Sequence, residues 1–295
     1  MSQTAGLATG VHDMTIDGVR QRYRVAGTGT GPIVVIHSGG PGMEWSYIQM
    51  PALERQMTAI YPEPIGTGTS GRLPGHPSGY TVERYARMLE GLIDGLELPQ
   101  AFLLGHSHGG AVAQRYALNR PDRLKGLILY DTVASTGAGH WAEATRLIGQ
   151  FAERFSRQAE IPAVLEAWKW APEIFDDESF TAVLRELLPA YFADYWAHEE
   201  QLRPMRESLR GWFVSSDGVP FDTTRQLSSI TTPTSVIVGR FDFICGPRRA
   251  QELHDGIPGS RMTVLEGSGN FGHIEQPQLF ADTVAEFIAT TLEQG

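Results

Sequence analysis

Six short runs of consecutive apolar residues punctuate the chain, at Ile33–His37 and at residues 57–61, 101–105, 127–130, 234–238 and 262–265. Runs this compact, with little polar alternation, are the pattern of strands covered on both faces in a parallel sheet. Residues 14–26 read differently: two short alternating segments flank Asp17-Gly18, a hairpin turn sequence. Helical periodicity occupies residues 82–96, 109–119, 248–254 and 280–292. Strand and helix alternate, so the expected class is α/β, with a mostly parallel central sheet, right-handed crossovers and flanking helices.

The alternation stops at about residue 132 and resumes after about 227. The stretch between is helical in pattern and rich in large aromatics, among them Trp168, Tyr195 and Trp196. An insertion of this length between two sheet strands predicts a helical lid. The chain then divides into a first core segment 1–131, a lid 132–227 and a second core segment 228–295. Most lid aromatics are expected to pack the lid helices together, and a few to face a pocket at the sheet's ligand edge.

Composition narrows the class. With 295 residues, 41% of them hydrophobic, the chain can bury a full core without disulfide or metal staples. Its one cysteine, Cys245, has no partner for an internal disulfide, which fits a reducing compartment. The start MSQTAGLATG lacks a basic and an apolar leader region, and no apolar run reaches a membrane span. A soluble, cytoplasmic protein is expected. The net charge of −10 and the lack of a basic cluster argue against nucleic acid as a partner. No metal-ligand spacing and no phosphate loop before a helix appears, so neither metal nor cofactor is expected. A small molecule is the expected partner, with homo-oligomerisation left open.

The chemistry concentrates where the run at 101–105 meets Gly105-His106-Ser107-His108-Gly109 and then a helical pattern. Glycines let the chain turn sharply enough to lift the Ser107 hydroxyl above the carboxyl edge of the sheet. The following helix N-terminus aims N–H groups at the same point, where negative charge would develop. G-x-S-x-G alone is weak; between a buried strand and a helix it is specific. A second glycine-rich turn, Ser38-Gly39-Gly40-Pro41-Gly42, follows the run Ile33–His37, where the other oxyanion donor belongs. The expected donors are the backbone amides of Gly40 and His108, with Gly39 beside the substrate.

These segments resemble the α/β-hydrolase superfamily, and within it the proline-iminopeptidase-like branch. SGGPGMEWSY resembles that branch's HGGPG turn, with Ser38 at the histidine, and residues 63–70 are similar to its D-x-x-G-x-G-x-S stretch, with Glu63 at the aspartate. The likeness spans the sheet segments and fades in the lid. It implies an acyl-enzyme serine hydrolase with a triad in the order serine, aspartate, histidine. Gly239-Arg240-Phe241-Asp242 resembles the family's G-x-x-D turn, which makes Asp242 the expected acid, with Asp131 as the runner-up. Aligned on Glu275 and Pro277, the triad histidine position falls on Asn270.

Asparagine is near histidine in size and hydrogen-bonds, but it cannot accept the serine proton near neutral pH. Three readings stay open: an engineered substitution that holds intact substrate in place, His273 acting as base through a shifted loop, or a natural pseudoenzyme or non-hydrolytic catalyst. In the branch this chain resembles, a carboxylate following the acid selects a free amine; here that position is Phe243. Glu173, Glu199 and Glu200 in the lid offer carboxylates, of which Glu199 is the candidate substrate contact, with Trp168, Tyr195 and Trp196 as aromatic ones. An apolar residue beside the acid and an aromatic lid favour a hydrophobic ester or lactone. An N-terminal aminopeptidase is the alternative enzyme, and a non-catalytic binder the alternative of another class.

Overall fold

The computed structural model describes residues 7–29 and 31–294. Residues 1–6, part of the leaderless start expected above, lie outside the described residues. Eight strands form one sheet in the order β1-β2-β4-β3-β5-β6-β7-β8. β1 (Gly10–Ile16) and β2 (Val19–Gly27) make the expected hairpin, whose register closes at Ile16 opposite Val19. Asp17 and Gly18 both take positive φ (49° and 77°), as a two-residue turn matched to strand twist requires. The hairpin pairs antiparallel with β4 (Thr58–Pro62), and from there the sheet is parallel through β3 (Ile33–His37), β5 (Ala101–His106), β6 (Leu124–Tyr130), β7 (Thr234–Gly239) and β8 (Arg261–Leu265).

Every residue of β4, β5 and β7 is buried, which is why their sequences read as unbroken apolar runs. Successive side chains still divide between faces. Val35 and Leu103 join the core under α2 (Val82–Gly95), α3 (His108–Asn119) and α8 (Pro247–Gly256). Val34, Ile36, Phe102 and Leu104 join the opposite core, with Leu53 of α1 (Pro51–Glu54) and Phe280, Val284 and Phe287 of α10 (Pro277–Gln294). The short α9 (Gly272–Glu275) precedes α10.

Between β6 and β7 the chain leaves the sheet. α4 (Ala138–Arg154), α5 (Ile161–Trp170), α6 (Asp177–Leu187) and α7 (Glu199–Ser208) form the helical insertion. Its stems are tied together, since Ser135 bridges Asp222 and the Thr223 N–H donates to the Ala134 carbonyl at 2.8 Å. It has its own apolar core of Ile148, Phe151, Val164 and Leu187, which also takes in Phe243 from the loop after β7. Phe151, Phe155, Trp168, Tyr191 and Trp196 serve this packing, whereas Phe192 and Tyr195 join the core beside α10. Among the described residues no helix is long and apolar enough to cross a membrane.

Candidate active site

Ser107 stands between β5 and α3 with φ 52° and ψ −119°, a strained conformation for a residue with a side chain. The turn is possible because glycines stand two residues away on each side, at 105 and 109: a Cβ on Gly109 would lie 2.4 Å from the His37 carbonyl oxygen. β3, β5 and α3 therefore close on one another below the hydroxyl. His108 is the first residue of α3, so its N–H precedes any intrahelical acceptor. Ser107, His108 and Gly40 line one cavity of about 570 Å³. Gly39, expected beside the substrate, instead spends its N–H on the Tyr47 hydroxyl at 2.5 Å, behind the cavity wall.

The loops after β7 and β8 bring Asp242 and Asn270 together. A Cβ on Gly239 would fall 1.8 Å from the Gly269 carbonyl oxygen, so the two loops touch backbone to backbone. Gly239→Ala is expected to destabilise the protein by about 2–3 kcal/mol, because neither backbone can retreat. A lower urea midpoint at unchanged slope would show it. Asn270 Nδ2 donates to Asp242 Oδ2 at 3.0 Å, and the Ile244 and Cys245 N–H groups donate to Asp242 Oδ1 at 2.8 and 3.0 Å. Both residues are about 1% exposed. Burial raises the Asp242 carboxyl above its ordinary value, while these donors pull it back.

Asp131, at the end of β6, adjoins Asp242. It takes the Gly239 N–H at 2.8 Å on Oδ1, and the Asp242 charge acts on it. Burial and then the Asp242 charge push it well above the usual carboxylate range. Two buried carboxyls this close cannot both ionise. Asp242, with three donors, keeps the charge, and Asp131 holds the proton.

Asn270 is spoken for on every side. Its N–H donates to the Tyr191 carbonyl at 2.7 Å, and its own carbonyl accepts from His106 Nε2 at 3.0 Å. Cys245 lines the same cavity as Ser107. The His106 contact carries no mark in the sequence. Histidine beside the nucleophile points back under the elbow, where it links the Tyr47 hydroxyl (2.9 Å at Nδ1) to the Asn270 loop.

His273 does not stand in as base. Its Nε2 donates to the Tyr47 carbonyl at 2.9 Å and its Nδ1 faces the Tyr130 hydroxyl at 3.0 Å. Buried among Tyr130, Phe271 and Phe280, it holds the loop in place, and burial lowers it to about 4. Three residues along a turn have directed it to the far side. Glu275 anchors the same loop by accepting the Gly269 and Ala193 N–H groups at 2.6 and 2.7 Å, and burial raises it to about 7. A carboxyl raised on folding stabilises most below its unfolded value and loses that contribution as pH rises through about 7. Thermal melts should therefore show Glu275→Gln gaining on the parent protein from pH 5 to pH 8.

The cavity corrects most of the expected substrate contacts. Trp168 lines it, with Trp141, Phe180, Leu184 and Ile244. Tyr195 is buried against Phe192 and under the Arg206 guanidinium. Trp196 packs on Phe151 and Phe155 and donates to Glu160, and Glu199 pairs with Arg203 at 3.2 Å on a helix surface. Phe243 meets Trp168 and Tyr191 edge-on and faces a separate 250 Å³ pocket. Amphipathic periodicity could not tell which aromatic faced inward, since Tyr195 and Trp196 sit at a single short turn and not on a long helix face. The carboxylates on the cavity wall are Glu83 and Asp222, neither marked by any sequence pattern.

A family model described as the alpha/beta hydrolase fold matches residues 32–277, and the chain belongs to that family. It is 27% identical over 290 residues to a 2-hydroxymuconate semialdehyde hydrolase of a Pseudomonas species, covering 92% of this chain and 91% of that one. It is 28% identical over 291 residues to a proline iminopeptidase of Saccharolobus solfataricus, covering 90% and 87%. The crystal structure of a hydrolase from Pseudomonas aeruginosa superposes with a TM-score of 0.70 at 26% identity, over 95% of this chain and 99% of that one. The protein is thus a hydrolase of the α/β-hydrolase family with a proline-iminopeptidase-like relationship.

Proposed function

We propose that this chain is a serine hydrolase of hydrophobic small-molecule esters or lactones, laid out for acyl transfer on Ser107 and lacking its base. The observation that carries this reading is the Asn270 amide, held 3.0 Å from Asp242 where the triad histidine belongs. In the intact cycle the Ser107 oxygen attacks the carbonyl, the Gly40 and His108 amides take the oxyanion, and water releases the acid. Here no side chain removes the serine proton, so Ser107 stays a poor nucleophile. The chain then binds its substrate better than it cleaves it.

The apolar lining supports a ligand without a charged amine. Glu83 is paired with Arg115 at 3.0 Å, and Asp222 takes the Thr224 N–H at 2.9 Å, so an ammonium group would have to compete with these partners. The proline iminopeptidase relative keeps the aminopeptidase reading in the test. That test is Asn270→His, assayed on p-nitrophenyl butyrate beside proline p-nitroanilide. Ester cleavage alone supports the proposal, anilide cleavage favours the aminopeptidase, and ligand binding without either favours a non-catalytic binder.

A further inference from the structure

A mostly apolar cavity orients its ligand through the few polar groups on its wall. Here most of those groups are already used by the protein. Thr81 Oγ1 accepts the Arg84 N–H at 3.2 Å, and Thr132 Oγ1 donates to the Ser107 carbonyl at 2.6 Å. Thr136 Oγ1 accepts the Phe221 N–H at 3.2 Å, and Ser216 Oγ donates to the Val219 carbonyl at 3.4 Å. The carboxylates on the wall also have partners within the protein, Glu83 in Arg115 and Asp222 in the Thr224 N–H.

Three side chains on the wall differ. All three line the cavity: His140 Nδ1 is buried with no hydrogen-bond partner among the described residues, while the half-buried His108 ring and Tyr191 hydroxyl open onto the cavity and make no side-chain hydrogen bond among the described residues. (The Trp141 indole, 48% exposed, reaches solvent.) Tyr191 lies beside the reacting centre: its backbone carbonyl holds the Asn270 N–H, and its phenol feels the Asp242 carboxylate and Cys245. His108 adjoins Ser107, with its ring edge-on to Tyr85 at 5.5 Å. His140 sits in the first turn of α4, away from Ser107 and next to the Arg249 guanidinium. Burial keeps both imidazoles neutral, lowering His108 to about 3 and His140 to about 4. Unpaired polar groups on an apolar wall cost free energy until a ligand supplies their partners.

We propose that His108, Tyr191 and His140 are the recognition points of this cavity for an uncharged, oxygen-bearing carbonyl compound. His108 and Tyr191 read a hydroxyl or keto oxygen next to the reacting carbonyl, and His140 reads one at the far end of the acyl chain. This rests on the reading of Ser107 as the reacting centre. Neutral imidazoles and a phenol both donate and accept, which suits hydroxyl and keto groups and gives no advantage to a charged ligand.

The test uses the unaltered chain and three probes: phenyl hexanoate, phenyl 3-hydroxyhexanoate and phenyl 6-hydroxyhexanoate. Binding is read from quenching of tryptophan fluorescence, since Trp141 and Trp168 line the cavity. Each hydroxyl ester is expected to bind about three- to tenfold tighter than the parent ester, the range of one net hydrogen bond. Tyr191→Phe and His108→Leu should pull the 3-hydroxy preference towards one, and His140→Phe the 6-hydroxy preference. Tyr191→Phe keeps the ring and its packing, so it reads the hydroxyl alone. Equal affinity for all three probes, or preferences unchanged in the variants, overturns the inference and leaves the hydrolase reading standing. Binding of none of them overturns both.

Discussion

Asn270→His is expected to raise the hydrolysis of p-nitrophenyl butyrate by on the order of 10³-fold or more, the scale on which losing a triad member lowers the rate. The side chain at 270 already donates to Asp242 at 3.0 Å from a buried, fixed backbone. An imidazole there can keep that bond through Nδ1 and turn Nε2, which asparagine lacks, towards Ser107. Adding Ser107→Ala to Asn270→His should remove the whole gain. Steady-state rates for the three proteins, with His273 untouched, decide whether position 270 alone is the deficit. A gain that survives Ser107→Ala would sink the acyl-enzyme assignment.

The second large effect concerns the acid. In the Asn270→His background, Asp242→Asn should cost about 10⁴-fold, because an amide there holds the imidazole in the wrong tautomer and cannot balance its charge. Asp131→Asn should cost less than about tenfold in kcat, since Asp131 already stands there as a neutral carboxyl. The distinction rests on donors: three hydrogen bonds keep the charge on Asp242, against one from Gly239 to Asp131. Comparable losses at both positions would mean that the charge is shared, and the pH–rate profile of each variant would show which carboxyl sets the acid limb.

The sheet was readable because strands covered on both faces leave unbroken apolar runs, as at 101–105, and because Asp17-Gly18 is a turn that few other pairs make. The turns that carry Ser107, Asp242 and Asn270 could be placed for a related reason: each is a short backbone feature at the end of a strand. What escaped depends on distance through space. His106 carries no pattern that ties it to Asn270, and its contact arises from the packing of β5 against the loop after β8. Tyr195, Trp196 and Glu199 were misplaced because the insertion is apolar on several faces. Its own core of Ile148, Phe151 and Val164 competes with the cavity for aromatics, and only three-dimensional packing settles the outcome. Tyr191, four residues before Tyr195 in the same aromatic-rich stretch, went unnoticed while its neighbour was named.

The two hydrogen bonds that stitch residues 191–193 to the loop 269–275 reach beyond local stability. They make the cap and the residue at position 270 one mechanical piece. A substitution that shifts the chain at 191–193 therefore bears on the Asn270–Asp242 contact as well, so the insertion and position 270 cannot be altered independently of one another.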